Sequence, residues 1–193
     1  MDWLYAALLG YLAGSIPFGL LLAKAAGKGD IRQIGSGNIG ATNVMRTGSK
    51  GLAAAVLLLD LGKGLAVVLA ASHWFSHAVP AAALAVVTGH CFPVWLKFKG
   101  GKGVATNAGV SFGLGWPIGV AYAVVWLGML ALTRTSSLAG MSAVVAAVIA
   151  AAVLGFERFV PVLAVIALLV IWLHRTNIGR LLKGEEPRVG SKS

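Results

Sequence analysis

The chain has 193 residues, room for one domain over residues 1–193 with a buried interior and too little for two independent folds. It is 58% hydrophobic and 11% charged, where soluble domains carry about a quarter charged residues, so a soluble globular fold is excluded. The formal net charge of +10 would suggest nucleic acid in a soluble protein, but no basic run alternates with aromatics as a strand-binding groove requires.

The start, Met1-Asp2-Trp3, is acidic and leads straight into an apolar stretch from Trp3 to Ala23. It lacks the basic n-region of a signal peptide, which predicts an uncleaved first span. Gly10 and Gly14 within it have the small-xxx-small spacing of packed membrane helices. Further apolar stretches run from Leu52 to Trp74, Pro80 to Leu96, Val104 to Leu114, Ile118 to Leu132, Leu138 to Leu154 and Val160 to Leu173. Val104 to Leu114 is only about half the ~20 residues a crossing needs, and Gly115-Trp116-Pro117 interrupts after it. Lys and Arg concentrate in Lys24 to Lys50, Lys97 to Lys102, Arg134, and Arg175 to Lys192, while the turns around Ser76, Gly115 and Glu157 carry only Arg158. Basic loops lie inside. They share one side only if the short Val104 segment counts as a crossing or its equivalent. The expectation is an all-α polytopic membrane protein of about seven transmembrane segments, N-terminus outside, C-terminus cytoplasmic, with its active site at the cytoplasmic face. Cys91 is the only cysteine, so no intramolecular disulfide can form.

Three basic segments mix glycine, hydroxyl, amide and cationic side chains as phosphate binding demands. The first is Gly35-Ser36-Gly37-Asn38-Ile39-Gly40-Ala41-Thr42-Asn43-Val44-Met45-Arg46. Its glycines let successive N–H groups turn toward one point, and a helix beginning near Asn38 would aim its positive end there. Asn38, Thr42 and Arg46 would then form a polar stripe at i, i+4, i+8, with Arg46 offering a planar fork to phosphate oxygens. Gly35-x-Gly37-x-x-Gly40, with Asp60 twenty residues on, also matches a dinucleotide fingerprint. That fingerprint needs a preceding strand and a βαβ unit, whereas this one follows a membrane span, so it is discarded.

The second segment contains Gly100-Gly101-Lys102-Gly103, a second candidate nest with a lysine at its centre and a helix after it; His90 precedes it inside an apolar span. An intramembrane histidine is costly enough to be read as functional. The third runs from His174 to Glu186, where His174, Asn177 and Arg180 succeed one another at i, i+3; without a ligand it would be an amphipathic interfacial helix. Asp60 and Lys63, i, i+3 within the second span, can pair and pin helix positions.

In this order, these segments resemble the bacterial acyl-phosphate:glycerol-3-phosphate acyltransferases, the PlsY family. Gly14-Ser15-Ile16-Pro17, Gly35 to Arg46, Asp60 to Gly64, Gly89 to Thr106 and His174 to Glu186 carry the resemblance across essentially the whole chain. It implies transfer of a fatty acyl group from acyl phosphate to the 1-hydroxyl of glycerol-3-phosphate, giving 1-acyl-glycerol-3-phosphate and phosphate, the first step of bacterial phospholipid synthesis, in the inner membrane. It implies that Ser36, Arg46, His174 and Asn177 matter for activity, that Gly100 to Gly103 bind glycerol-3-phosphate, and that Glu186, which aligns better than Glu185, is structural. With His90 these form the catalytic set. Gly35, Gly37, Asn38, Thr42, Asn43, Gly100, Gly101, Lys102, Gly103 and Arg180 form the substrate-binding set, and Asp60, Lys63 and Glu186 the structural one. No cofactor or metal is implied, acyl phosphate, glycerol-3-phosphate and the lipid bilayer are the partners, and the oligomeric state is left open, a monomer being one option.

The residues constrain the mechanism independently. A glycerolipid acyltransferase of the other large class uses a His-x4-Asp dyad, but His73, His77, His90 and His174 are followed five residues later by Ala78, Ala82, Trp95 and Gly179. No Gly-x-Ser-x-Gly elbow occurs either. Acyl phosphate is already activated, so positioning and oxyanion stabilisation can carry the reaction, with His90, His174 or a substrate phosphate as the base. The alternative reading is a small phosphate or organic-anion transporter, which would place polar residues along a transmembrane path.

Overall fold

The structure is a computed structural model that describes residues 1–190; Lys192, counted above with the basic tail, lies outside the described residues. Helices dominate, because runs of Ala, Leu and Val with polar residues confined to their ends satisfy every backbone group internally. In chain order they are α1 (Asp2–Gly14), α2 (Phe18–Ala25), α3 (Ala41–Met45), α4 (Lys50–Trp74), α5 (Val79–Cys91), α6 (Val104–Leu114), α7 (Trp116–Thr133), α8 (Ser136–Val153), α9 (Val160–Leu173) and α10 (Arg175–Leu182). Among the described residues there is no strand.

Five stretches are long and apolar enough to cross a membrane: Asp2–Ala25, Lys50–Trp74, Ser76–Leu96, Trp116–Thr133 and Ser136–Val153. Glu157–Leu173 with Arg175–Leu182, bent by 59°, makes a sixth if counted as one span. The first is broken at Ser15-Ile16-Pro17, where Pro17 cannot continue the α1 ladder and instead precedes α2. At 11 residues, α6 is about 16 Å long at 1.5 Å per residue, half the ~30 Å of hydrocarbon.

Despite its length, α6 is central. Gly64 on α4 and Gly109 on α6 face each other's helix so closely that a Cβ at Gly64 would lie 2.2 Å from Thr106 O, and one at Gly109 1.9 Å from Leu61 O. Only a pair of glycines permits that approach. α6 is further held by Tyr122 Oη on α7, which donates to Val104 O at 2.8 Å. Val86 and Val87 of α5, Val110 of α6, Tyr122 of α7 and Ile166 of α9 are all 2% exposed or less and form one core. The outward apolar residues, such as Leu58, Val124 and Leu168, remain exposed as a lipid-facing surface requires.

Candidate active site

Three polar segments converge at one end of the bundle. The first follows α2. Gly35 and Gly37 take left-handed φ of 56° and 68°, which brings Ser36 round over α3. Asn43, 2% exposed, accepts from Ser36 N at 3.1 Å and from Ser36 Oγ at 3.3 Å, and its Nδ2 donates to Ile31 O at 2.8 Å. Asn43 is therefore the internal brace of this loop, and its polar atoms are committed to it. A Cβ at Gly35 would lie 2.7 Å from both Cδ and Nη1 of Arg46. Glycine is needed there because the Arg46 side chain lies across the loop beside Ser36.

The predicted stripe of Asn38, Thr42 and Arg46 is not formed. α3 has five residues and begins at Ala41. Asn38 Oδ1 instead accepts from Gly40 N at 2.8 Å, a local turn that competes with helix. Thr42 lies in the first turn of α3, and Arg46 caps its end.

The second segment joins α5 to α6. Gly100 N donates to Cys91 O and Gly101 N to His90 O, each at 3.0 Å. Both N–H groups thus satisfy the last carbonyls of α5 and do not turn toward an anion, so the predicted nest is corrected to a docked turn. Gly103, at φ 82°, is the residue before α6, and a Cβ there would meet Val87 and Cys91 at 3.0 and 3.2 Å. What the turn presents is Lys102. Its Nζ donates to Asn177 Oδ1. Burial lowers its pKa, and the guanidinium groups of Arg180, Arg175 and Arg46 press it down further, opposed by Glu186.

The third segment begins at His174, in the bend between α9 and α10. Its Nδ1 lies 2.8 Å from Val170 O; a carbonyl can only accept, so Nδ1 carries the proton and Nε2 keeps a free lone pair. Glu186 organises the remainder: its Oε1 accepts from Asn177 Nδ2 at 2.5 Å and Ser137 Oγ at 2.7 Å, and its Oε2 from Arg180 Nε at 2.7 Å. Burial opposes ionisation of Glu186, but these bonds from Asn177, Ser137 and Arg180 hold its carboxyl below the usual carboxylate range. A chain Ser137–Glu186–Asn177–Lys102 therefore ties α8 and α10 to the start of α6. Arg46 makes no ion pair with a carboxylate among the described residues.

Beneath the Lys102 turn lies a buried cluster. Lys63 Nζ is 2.7 Å from Asp60 Oδ1, 2.9 Å from Ile16 O and 3.0 Å from His90 Nδ1. The paired Asp60 and Lys63 are thus joined by His90 and by the α1–α2 break. Sequence reasoning paired the first two and treated His90 alone, and it passed over Ser137. Depth was the available signal: Asp60 and Lys63 lie 10 and 13 residues from Lys50, and His90 lies 7 residues before Lys97 on the antiparallel span.

The glycerol-3-phosphate acyltransferase family model matches residues 4–184. The glycerol-3-phosphate acyltransferase of Erythrobacter litoralis is 67% identical over 192 residues, covering 100% of this chain and 98% of its own length. That of Mesorhizobium japonicum is 54% identical over 187 residues, covering 97% and 96%. The crystal structure of PlsY (YgiH), an integral membrane glycerol 3-phosphate acyltransferase, in its glycerol 3-phosphate form superposes with TM-score 0.93 at 41% identity, covering 98% of this chain and 96% of that one. Its lysophosphatidic acid form gives 0.90 at 40% identity, with the same coverage. A family model spanning nearly the whole chain, relatives of this identity and a shared helical bundle lead to one conclusion: this multi-pass membrane protein belongs to the glycerol-3-phosphate acyltransferase family.

Proposed function

We propose that the protein transfers a fatty acyl group from acyl phosphate to the 1-hydroxyl of glycerol-3-phosphate, releasing lysophosphatidic acid and inorganic phosphate. The observation that carries this reading is that Arg180, Arg175 and Arg46 all lie close enough to Lys102 to bear on its charge, with Glu186 the carboxylate among them and already bonded to Ser137, Asn177 and Arg180. Each phosphate brings about −1.5 to −2 charges, so two substrates at one site need such a surplus of fixed cations.

Arg46, unpaired with a carboxylate among the described residues, clamps one phosphate through its planar fork. Lys102, held by Asn177, carries the other, and Ser36 Oγ, turned from its 3.3 Å bond to Asn43, adds a hydroxyl donor beside Arg46. The glycerol 1-oxygen attacks the acyl carbonyl carbon, the bond from that carbon to the phosphate oxygen breaks, and the electron pair leaves with phosphate. The hydroxyl proton passes to His174 Nε2 or to a phosphate oxygen of the substrates. Direct transfer is favoured over an acyl-enzyme because Cys91 is 2% exposed and packed beneath Gly103, whereas a reactive thiol needs an electropositive, partly exposed place.

The chain forms a single membrane-embedded unit with seven crossings or their equivalent, α6 being the half-length one, N-terminus outside and the site at the cytoplasmic face of the bacterial inner membrane. A transporter is disfavoured because the polar residues gather at one end of the bundle. In liposomes, the purified protein should release phosphate from acyl phosphate only when glycerol-3-phosphate is added. Uptake of glycerol-3-phosphate without phosphate release would overturn the reading.

A further inference from the structure

The buried cluster under the Lys102 turn has a defined polarity. An ammonium group has three N–H donors and no acceptor. Lys63 Nζ pairs with Asp60 Oδ1 at 2.7 Å and makes hydrogen bonds with Ile16 O at 2.9 Å and His90 Nδ1 at 3.0 Å. Both hydrogen-bond partners must therefore accept, and Nδ1 of His90 can accept only through its lone pair. Asp60 Oδ1, at 3.4 Å, is farther from the same nitrogen than Lys63 Nζ at 3.0 Å, and an Nδ1 proton would point at the ammonium. Removing an ionised partner from such a buried group leaves a charge uncompensated, so the pair of Asp60 and Lys63 keeps the donor permanently in place. In a neutral imidazole the proton then resides on Nε2.

That nitrogen faces the Lys102 turn. A Cβ at Gly101 would lie 2.0 Å from His90 Nε2, 2.7 Å from Cε1 and 2.8 Å from Cδ2. The ring thus occupies the space a side chain at position 101 would fill, while His90 O receives the Gly101 N–H at 3.0 Å. Side chain and backbone of one residue grip the turn from below.

We propose that Asp60, Lys63 and His90 form a buried positioning device in which Lys63 fixes His90 as the Nε2–H tautomer, a donor set against the Gly101 turn that holds Lys102 for the substrate phosphate. His90 is then no base. Its lone pair is consumed by Lys63, and the hydroxyl proton goes elsewhere. His174 is the mirror case, with Nδ1 committed to Val170 O and Nε2 left as the acceptor. One site thus holds two buried histidines of opposite tautomer, each set by what its Nδ1 meets. The link to the phosphate rests on the function proposed above; the tautomer does not.

The test is nitrogen-15 NMR of the full chain in detergent with labelled histidine, the His90 signals identified by their loss in His90→Gln. Wild-type His90 should be protonated at Nε2 and bare at Nδ1, and Lys63→Met, which leaves the Asp60 carboxylate 3.4 Å from Nδ1, should move the proton to Nδ1. A wild-type Nδ1–H ring, an imidazolium at neutral pH, or an unchanged tautomer in Lys63→Met overturns the proposal. The kinetic arm follows acyl phosphate consumption. Without the ring packed beneath Gly101, His90→Ala should raise KM for glycerol-3-phosphate about ten-fold, as a cavity under the turn lets it sag, with kcat within about three-fold. A loss of kcat of about a hundred-fold or more at unchanged KM is the mark of a removed base and would overturn it. If the wild-type protein transfers no acyl group at all, the proposed reaction falls, and the NMR arm still decides the tautomer.

Discussion

Adding one methyl group at Gly101 tests how tightly the Lys102 turn is docked. Gly101 does not have a left-handed φ, so alanine is permitted by the backbone and only the surroundings decide. The new Cβ would meet three ring atoms of His90 at 2.0, 2.7 and 2.8 Å, where an ordinary carbon contact needs about 3.5 Å or more. His90 is 4% exposed and bonded to Lys63, so the ring has nowhere to swing, and the turn must lift by about 1 Å or more. Overpacking of this kind costs about 1–3 kcal/mol. If the turn yields by losing phosphate contact, KM for glycerol-3-phosphate rises about 5- to 150-fold at 1.4 kcal/mol per factor of ten. The assay is steady-state phosphate release at varied glycerol-3-phosphate. Gly179→Ala is the control, since a Cβ at that α10 position meets nothing within 4 Å, and it should keep wild-type kinetics. His90→Ala combined with Gly101→Ala removes the obstacle, so the double variant should be less impaired than the sum of the singles, by about 0.5–3 kcal/mol of coupling. Wild-type KM in Gly101→Ala, or strict additivity of the pair, would refute the reasoning.

Arg46→Lys keeps the charge but loses the fork, and should lose at least about ten-fold in kcat/KM, because charge-assisted bonds are worth about 1.5–3 kcal/mol each; near-normal turnover would leave Arg46 as a mere topology signal. Glu186 has a depressed carboxyl pKa in the folded state, so its contribution to stability is complete above the unfolded value of about 4.3 and is lost as pH falls below it. The melting temperature of Glu186→Gln should therefore be lower than wild type at neutral pH, with the gap closing below about pH 4.3; a gap constant with pH would contradict this. Cys91→Ala should retain activity, and incubation with radiolabelled acyl phosphate alone should leave no label on the denatured protein; stoichiometric label lost in Cys91→Ala or Ser36→Ala would establish an acyl-enzyme.

Segments with a strong local cause were legible in the sequence. The long apolar helices follow from hydropathy alone, and the shortness of α6 was visible in the break at Gly115-Trp116-Pro117. The convergence of three basic, glycine-containing loops was legible for the same reason, since anion chemistry leaves a compositional mark. The details that failed depend on competition between partners. Gly100 and Gly101 look like an anion nest until the open carbonyls of His90 and Cys91 claim their N–H groups. Asn38 looks like a helix start until its side chain captures Gly40. Asn43 is an amide of the kind that suits phosphate, and the bonds it makes within the protein brace its own loop. Nothing local distinguishes a polar atom that serves a substrate from one that serves the chain.

The half-length α6 has a consequence for where lipid and water meet. Tyr122, whose hydroxyl holds Val104, lies 11 residues before Thr133 at the end of α7, about 16 Å of helix. Even after the reach of a tyrosine side chain, α6 begins well below the rim of its neighbours. The Lys102 turn therefore lies in a recess below the end of α7. In the proposed reaction a water-soluble phosphate would descend into that recess, while a membrane-borne acyl donor would arrive sideways with its chain among lipid tails. The product of that reaction would need no extraction, its new tail lying in the leaflet from the moment the ester forms.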